Sequence, residues 1–330
     1  VQHTVPTLFL GKGMLLGVHC HRALRDITFN FIRPIWHSSS RSVQKRMASR
    51  VIRDGASNTI TIVPPDGQHS ATMLIMHGLG DSADGFADVA EMFSSRMPYC
   101  KFILPTAPCQ PVTLNGGMAM NSWYDIVGLD DRASETCDGL AESCATIRDV
   151  LKRENAAGIP YSRMVLAGFS QGGAMSLTVG MQLQQEEKLA GILVMSGYLP
   201  AAKNFHLTPG LEDTPILHCH GLSDPMVRYD WAEKTKAEIT RQGASQYELK
   251  GYPGLTHSVS PEELNHALDF LTRVLPNDAS FAIPAKDPAD MSVKELKEAI
   301  RAAGLSAQAV GFCEKSEYVQ LLSSHRNKSS

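Results

Sequence analysis

Gly168-Phe169-Ser170-Gln171-Gly172, followed by Gly173, puts a serine at the centre of a G-x-S-x-G pattern. The spacing suits a nucleophile held on a strained turn between strand and helix. Side chains two residues to either side would strike neighbouring backbone, and glycines relieve that collision. A helix starting just beyond the serine would aim backbone N–H groups at an oxyanion developing on a carbonyl substrate. The chemistry implied is acyl transfer through a serine ester. Five residues occur by chance in many chains, and a Gly-rich packing turn is the plain alternative. Here the pattern follows the apolar run Arg163-Met-Val-Leu-Ala167 and precedes a helix-length segment from Gln171 to Gln184, which is the context a nucleophile needs.

A serine hydroxyl is a weak nucleophile at neutral pH and requires a base. Twelve histidines compete for that role. His3, His19, His21 and His37 fall in the N-terminal region and His325 in the C-terminal tail. His218 and His220 alternate with Cys219 along a strand, where sheet packing or polar surroundings are expected of them. His77 opens a turn after a strand, and His266 lies within a helix. His257 stands in a loop between the strand-like segment Tyr247 to Tyr252 and a final helix. Serine hydrolases with the chain order Ser, acid, His place their base at that point; a satisfied loop histidine is the blander possibility.

The acid should come from a loop after a strand, between the serine and the histidine. Asp224 follows Ile216-Leu-His-Cys-His220 by the short turn Gly221-Leu-Ser-Asp-Pro225. Asp213 and Asp230 are alternatives, but neither stands just past a strand's C-terminal end. Ser-Asp-Pro favours turns in any protein, so an ordinary turn aspartate is the competing view. As a catalytic acid, Asp224 would fix the imidazole tautomer and stabilise the imidazolium. A second oxyanion donor is expected from the loop after an early strand. His77-Gly78-Leu79-Gly80-Asp81 fits, the N–H of Leu79 joining that of Gln171, and a tight glycine turn with positive φ is compatible with that role.

The elements that must position these groups alternate between strand and helix. Met73-Leu-Ile-Met76 and Lys101-Phe-Ile-Leu104 are short apolar runs, as are Gly191 to Met195 and Pro215 to Cys219. Leu140, Cys144, Ile147 and Leu151 recur on one face of a helix. The last helix opens on Ser260-Pro261-Glu262-Glu263, with Ser as N-cap, Pro at the first helical position and Glu closing a capping box. Its apolar face is Leu264, Leu268 and Leu271. Strands alternating with helices imply a mostly parallel sheet covered on both faces, and the fold class is α/β.

Three regions differ in character. Residues 1–54 hold nine Lys/Arg against two acids, are rich in Ser and His, and carry no sustained apolar period. They are expected to be largely disordered, either as an organelle transit peptide or as residues upstream of a start at Met47. Residues 55–277, the expected catalytic domain, hold 15 Lys/Arg against 25 Asp/Glu. An acidic core argues against nucleic acid as a partner, since phosphate binding needs a basic face. A linker is expected at 278–290, a small helical hairpin at 291–322, and a flexible tail at 323–330. Within the hairpin, Val293, Leu296 and Ile300 share one face of a helix closed by Gly304, and a second helix is expected from Lys315 to Leu322. No apolar run approaches the roughly 18 residues of a membrane-spanning helix. Seven cysteines with no C-x-x-C pair fit a reducing, cytoplasmic setting, or an organelle if residues 1–46 are a transit peptide.

Taken together, the chain resembles the acyl-protein thioesterase and lysophospholipase family of small carboxylesterases, which have the α/β-hydrolase fold. The likeness covers about residues 58–276. It rests on His77-Gly-Leu-Gly-Asp81, Pro105-Thr-Ala-Pro108, Pro111-Val-Thr-Leu-Asn115, Met118-Ala-Met-Asn-Ser-Trp-Tyr-Asp125, Gly168 to Ala174, His220 to Pro225 and His257-Ser258. The stretch from Pro105 to Asp125 separates this family from other G-x-S-x-G hydrolases. The resemblance implies hydrolysis of fatty-acyl thioesters and esters, on acylated proteins or lysophospholipids, with transient contact at a membrane surface. It implies no metal and no organic cofactor. It also implies an acyl groove beside the serine, for which Leu114, Met118, Met120 and Trp123 are candidates, core packing being the alternative for each. Two features depart from the family outline. The segment 291–322 looks like a SAP-like hairpin without net charge, for which a protein partner is expected. Nothing near Met47 offers a cysteine for a reversible acyl anchor. Competing readings are a broad short-chain carboxylesterase and a non-catalytic interaction protein built on the same scaffold.

Overall fold

The computed structural model describes residues 49–64, 68–128, 136–283 and 286–329. Eight strands form one sheet: β1 (Arg50–Asp54), β2 (Thr59–Val63), β3 (Ala71–Met76), β4 (Cys100–Leu104), β7 (Met164–Phe169), β8 (Gly191–Met195), β9 (Ile216–Gly221) and β10 (Tyr247–Tyr252). Their spatial order is β1-β2-β4-β3-β7-β8-β9-β10. From β4 to β10 every pairing is parallel, whereas β2 runs antiparallel to both β1 and β4. Between β4 and β7 a separate antiparallel hairpin, β5 (Cys109–Val112) and β6 (Met118–Asn121), pairs Cys109 with Asn121.

Seven α-helices accompany the strands among the described residues. They are α1 (Ala87–Arg96), α2 (Leu140–Ala156), α3 (Gln171–Gly180), α4 (Tyr229–Arg241), α5 (Pro261–Val274), α6 (Val293–Ala302) and α7 (Lys315–Ser329). The parallel strands are buried on both faces, which is why they read as unbroken apolar runs. Met73, Ile75, Val165, Ala167, Leu193 and Leu217 face one way, against Phe93 of α1 and Phe270 and Leu271 of α5. Their neighbours Leu74, Met76, Leu166 and Met164 face the other way, against Ile147 and Leu151 of α2 and Met175 and Val179 of α3. Further along that face Ile192, Val194 and Ile216 meet Leu177 of α3 and Ile239 of α4. The expected capping box is present on α5: Ser260 Oγ accepts the Glu263 amide at 3.1 Å, and Glu263 Oε2 accepts the Ser260 amide at 3.2 Å.

Three boundaries move. Arg50–Asp54, assigned above to the N-terminal extension, is an edge strand paired residue for residue with β2, so the sheet begins before residue 55. The rest of the extension, residues 1–48, lies outside the described residues. The segment expected to be a linker packs partly on the core: Ile283 donates its amide to His69 at 3.0 Å, and the Arg163 guanidinium stands 5.3 Å from the centre of the Phe281 ring. The tail expected to be flexible from 323 onward is a continuation of α7 to Ser329, and Arg326 donates to the Lys286 carbonyl at 2.7 Å. In this C-terminal part α6 and α7 close over Met291, Leu296, Ile300, Leu305, Tyr318 and Leu322, a small core of their own.

The parallel order brings the C-terminal ends of β3, β7, β9 and β10 to one edge of the sheet. In open α/β sheets that edge is where ligands bind.

Candidate active site

β7 ends at Phe169 and α3 begins at Gln171, so one residue makes the whole turn. That residue, Ser170, takes φ 54° and ψ −118°, a conformation a non-glycine residue holds only when its surroundings impose it. The constraints are visible on both sides. The Ser170 amide donates to Met195 of β8 at 2.8 Å, and the Ser170 carbonyl accepts from Ala174 at 3.0 Å to start the helix. A Cβ on Gly168 would overlap the Gly172 carbonyl, and one on Gly172 would overlap the Met76 carbonyl. The two glycines flanking the serine are therefore what lets the turn close against β3.

The loop after β10 carries His257 to this turn. Its Nε2 is 2.9 Å from Ser170 Oγ, and its Nδ1 is 2.7 Å from Asp224 Oδ2. A carboxylate only accepts, so Nδ1 carries the ring proton and Nε2 accepts from the serine hydroxyl. The imidazole packs against Phe169, ring centres 4.8 Å apart, which holds it over the elbow. Asp224 is buried in the turn after β9 and its other oxygen, Oδ1, accepts the amides of Met226 at 2.8 Å and Val227 at 2.9 Å. Burial by itself would raise the Asp224 carboxyl. The His257 N–H and the two amides outweigh it and hold the group below its ordinary value. The acid and base loops are also joined through backbone, the Ser223 amide donating to Leu255 at 3.0 Å. Serine, histidine and aspartate thus form one hydrogen-bonded line, able to take a proton from Ser170 and return it to a leaving group.

The loop after β3 abuts the serine from the other side, with Gly78 packed against Phe169 and Ser170. His77 is buried and neutral, burial lowering its ring below the usual value. Its Nε2 accepts the Ala107 amide at 3.0 Å and its Nδ1 lies 2.7 Å from the Gly78 carbonyl. Beyond Leu79 the amides of Gly80 and Asp81 are engaged, Gly80 to Asn121 at 2.8 Å and Asp81 to Gly78 at 3.3 Å. Gln171, as first residue of α3, has no preceding turn of helix to accept its amide.

Residues 57–275 match the sequence profile of the phospholipase/carboxylesterase family. The chain belongs to that family. It is 40% identical over 229 residues to acyl-protein thioesterase 1 of Neurospora crassa, spanning 66% of this chain and 92% of the relative. A similar identity, 40% over 235 residues, relates it to acyl-protein thioesterase 1 of Mycosarcoma maydis, covering 66% of this chain and 97% of that protein. The crystal structure of Zea mays acyl-protein thioesterase 2 superposes with a TM-score of 0.59 at 29% identity, covering 66% of this chain and 99% of the maize protein. As a member of the phospholipase/carboxylesterase family, the chain is a serine hydrolase acting on acyl esters and thioesters, with the α/β-hydrolase fold.

Against that family background, the candidate groove residues part company. Met120 is half-buried on β6, its sulfur against Gly80 of the loop beside Ser170 and accepting from Asn115 Nδ2 at 3.2 Å. Leu114 is half-buried against the core, and Met118 is 61% exposed at the turn end of the hairpin, paired with Val112. Trp123 is not in a groove. It is 1% exposed within the core, its Nε1 donates to the His77 carbonyl at 2.9 Å, and its ring lies 5.3 Å from that of His77. An indole with its N–H satisfied internally is a packing residue. The sequence also concealed the Gln171 side chain. Its Oε1 accepts the Trp123 amide at 2.9 Å and its Nε2 donates to the Tyr124 carbonyl at 2.7 Å, fastening the hairpin's exit to the elbow. An amide next to a nucleophile was the one available signal. No group of His, Cys, Asp and Glu capable of holding a metal occurs among the described residues.

Proposed function

We propose that this chain removes long-chain fatty acyl groups from protein thioesters, and from the corresponding oxyesters such as lysophospholipids, through an acyl-enzyme on Ser170. The observation that carries the proposal is the line Ser170–His257–Asp224, joined by contacts of 2.9 and 2.7 Å at the edge of the sheet where ligands bind. Ser170 Oγ attacks the acyl carbonyl while His257 Nε2 takes its proton. The C–S or C–O bond breaks as the imidazolium protonates the departing thiol or alcohol. Water then enters, gives its proton to His257 and releases the fatty acid. Asp224 stays ionised throughout and holds the imidazolium in place.

The amides of Leu79 and Gln171 receive the oxyanion, each contributing about 10²–10³ in rate. Leu79 is favoured because the amides of the two residues after it, Gly80 and Asp81, are already engaged, and Gln171 because it opens a helix. Met120, with Leu114 and the exposed Met118 beyond it, lines the path of the acyl chain; a thioether adapts to several chain lengths. No cofactor takes part in these steps. The free thiols of Cys100, Cys109, Cys144, Cys219 and Cys313 favour a reducing compartment such as the cytoplasm. No helix among the described residues is long and apolar enough to cross a membrane, so acylated substrates are met by transient contact with the membrane surface. The C-terminal pair α6 and α7 serves as a SAP-like module for a protein partner.

The deciding experiment labels the full chain with an active-site fluorophosphonate, compares Ser170→Ala and His257→Ala, and follows kcat/KM on S-acyl peptides and oxyesters of increasing chain length. Labelling confined to the wild type, with kcat/KM rising on long acyl thioesters, is the expected result. Activity on short esters alone would make it a general carboxylesterase. A folded protein that neither labels nor hydrolyses would be an interaction protein on this scaffold.

A further inference from the structure

Two buried histidines lie behind the acid of the triad, and the catalytic steps do not use them. His218 and His220 stand two residues apart on β9, so they share a face of the sheet, and neither has any exposed surface. Their ring nitrogens form a chain: Tyr247 Oη to His218 Nδ1 at 2.7 Å, His218 Nε2 to His220 Nδ1 at 3.2 Å, and His220 Nε2 to the Val227 carbonyl at 2.7 Å.

The direction of this chain follows from what each end is able to do. A carbonyl oxygen only accepts, so His220 Nε2 carries a proton. Its second neighbour, Asp224 Oδ2 at 3.6 Å, is also an acceptor. A ring protonated on both nitrogens is disfavoured, because burial lowers both histidines, His220 opposes charge on His218, and His257 opposes charge on His220. His220 Nδ1 therefore accepts, His218 Nε2–H donates to it, and the Tyr247 hydroxyl donates to His218 Nδ1. The other titratable groups facing His220 are His257 and Tyr229, whose ring meets it edge-on at 5.9 Å.

Val227 is where this chain reaches the triad. Its amide donates to Asp224 Oδ1, and its carbonyl is taken by His220. The turn from Asp224 to Val227 is thus fastened to β9, with one carboxylate oxygen occupied by two amides and the other left facing His257. We propose that His220 is a positioning residue for the acid of the triad, its Nε2–H anchoring the Asp224–Val227 turn while His218 and Tyr247 fix its tautomer. The proposal rests on Ser170, His257 and Asp224 acting as the triad.

The test uses the full chain and three substitutions. Gln places its amide nitrogen near the position of Nε2, Asn reaches only that of Nδ1, and Leu reaches neither. His220→Leu and His220→Asn are expected to lower kcat about tenfold, the loss of one buried hydrogen bond, with KM within about twofold. Their acid limb in kcat/KM should move to lower pH, because a loosened carboxylate stabilises the imidazolium less. His220→Gln should recover kcat to within about threefold of wild type and restore the pH profile. Nitrogen-15 spectra of histidine-labelled wild type, which need no variant to fold, should show His220 as the neutral Nε2–H tautomer between about pH 6 and 8. An Nδ1–H tautomer or a cation there overturns the proposal. So does a His220→Leu variant with wild-type kcat and pH profile, or a Gln variant no better than Leu. Wild type without hydrolytic activity would instead sink the triad reading, while the tautomer would still report on the anchor.

Discussion

His77 Nδ1 donates to the carbonyl oxygen of its own neighbour, Gly78, across 2.7 Å. The other ring nitrogen accepts the Ala107 amide, so the tautomer is settled. In a trans peptide the C=O and the following N–H point in opposite directions. Holding the Gly78 carbonyl therefore aims the Leu79 N–H the opposite way, and Gly78 itself lies against Ser170. His77→Leu is expected to lower kcat by about ten- to a hundredfold, the range for weakening one oxyanion donor, with KM little changed. His77→Asn, whose amide reaches the place of Nδ1, should keep most of the rate. Steady-state kinetics on a soluble ester would check both; a rise in KM at constant kcat would contradict this role.

Ser170 pays for its position in backbone strain, since φ 54° on a non-glycine residue costs about 1–3 kcal/mol. Ser170→Ala and Ser170→Gly should both abolish hydrolysis, but only glycine relieves the strain. The Gly variant is expected to unfold about 2–4 °C above the Ala variant, as roughly 1 kcal/mol does in a domain of this size. Thermal unfolding of the two would show it, and equal midpoints would mean that the elbow is relaxed.

Glu263 has no exposed surface, and only one of its oxygens serves the capping box of α5, Oε1 having no partner among the described residues. Burial raises its carboxyl to about 7, against which the Ser260 amide pulls weakly downward. Folding therefore takes up a proton below neutrality that the unfolded chain, with an ordinary glutamate near pH 4.5, does not hold. The resulting stability is fully present below about pH 4.5 and is lost as pH rises through about 7, to an extent of roughly 3 kcal/mol. Glu263→Gln keeps the capping box and removes the ionisation. It should be more stable than wild type at pH 8 and little different from it at pH 4. The buried histidines act with opposite sign, losing stability as pH falls below about 6.5, but they are common to both proteins and cancel in the difference. Denaturant titrations at the two pH values would measure it.

How far the sequence foretold this molecule depended on whether a feature was local. The elbow was legible because an apolar strand, paired glycines and a helix follow one another within about a dozen residues, and α5 because its cap is written in four. β1 was not legible. Arg50-Val-Ile-Arg-Asp54 is exposed along most of its length and is held by backbone pairing to β2, which leaves little trace in side-chain pattern. The β5–β6 hairpin has strands of four residues, of which only Val112 is buried. Its one local signal was Asn115-Gly116-Gly117, where both glycines take positive φ. Trp123 was open to two interpretations because the group that decides between them, the His77 carbonyl, lies 46 residues away. His218 and His220 were rightly placed on a strand, but their partners Val227 and Tyr247 arrive from a turn and from the neighbouring strand β10.

The side chain of Gln171 joins the elbow to the exit of the β5–β6 hairpin. Its backbone opens α3 at the elbow, while its carboxamide holds the Trp123 amide and the Tyr124 carbonyl, at the point where the chain leaves β6. β6 carries Met118 and Met120, the proposed acyl contacts, and is stitched to the loop after β3 by Asn121, whose side chain donates to the Asp81 carbonyl at 2.7 Å. Replacing Gln171 with Met preserves its volume and helix backbone but removes these hydrogen bonds and the contact with Ser122 Oγ, leaving the buried Trp123 N–H unpaired while the Tyr124 carbonyl keeps the Ser122 hydroxyl at 2.6 Å. The orphaned amide costs about 1–3 kcal/mol, and the chain relieves that cost by letting the hairpin exit move. An acetyl ester needs only the elbow and the proposed oxyanion amides, so its kcat/KM should fall modestly. A long acyl chain needs the hairpin in register, so its kcat/KM should fall about tenfold further. Measuring the ratio of long- to short-chain kcat/KM in Gln171→Met and wild type tests this directly: a conserved ratio would detach the hairpin from chain-length selection.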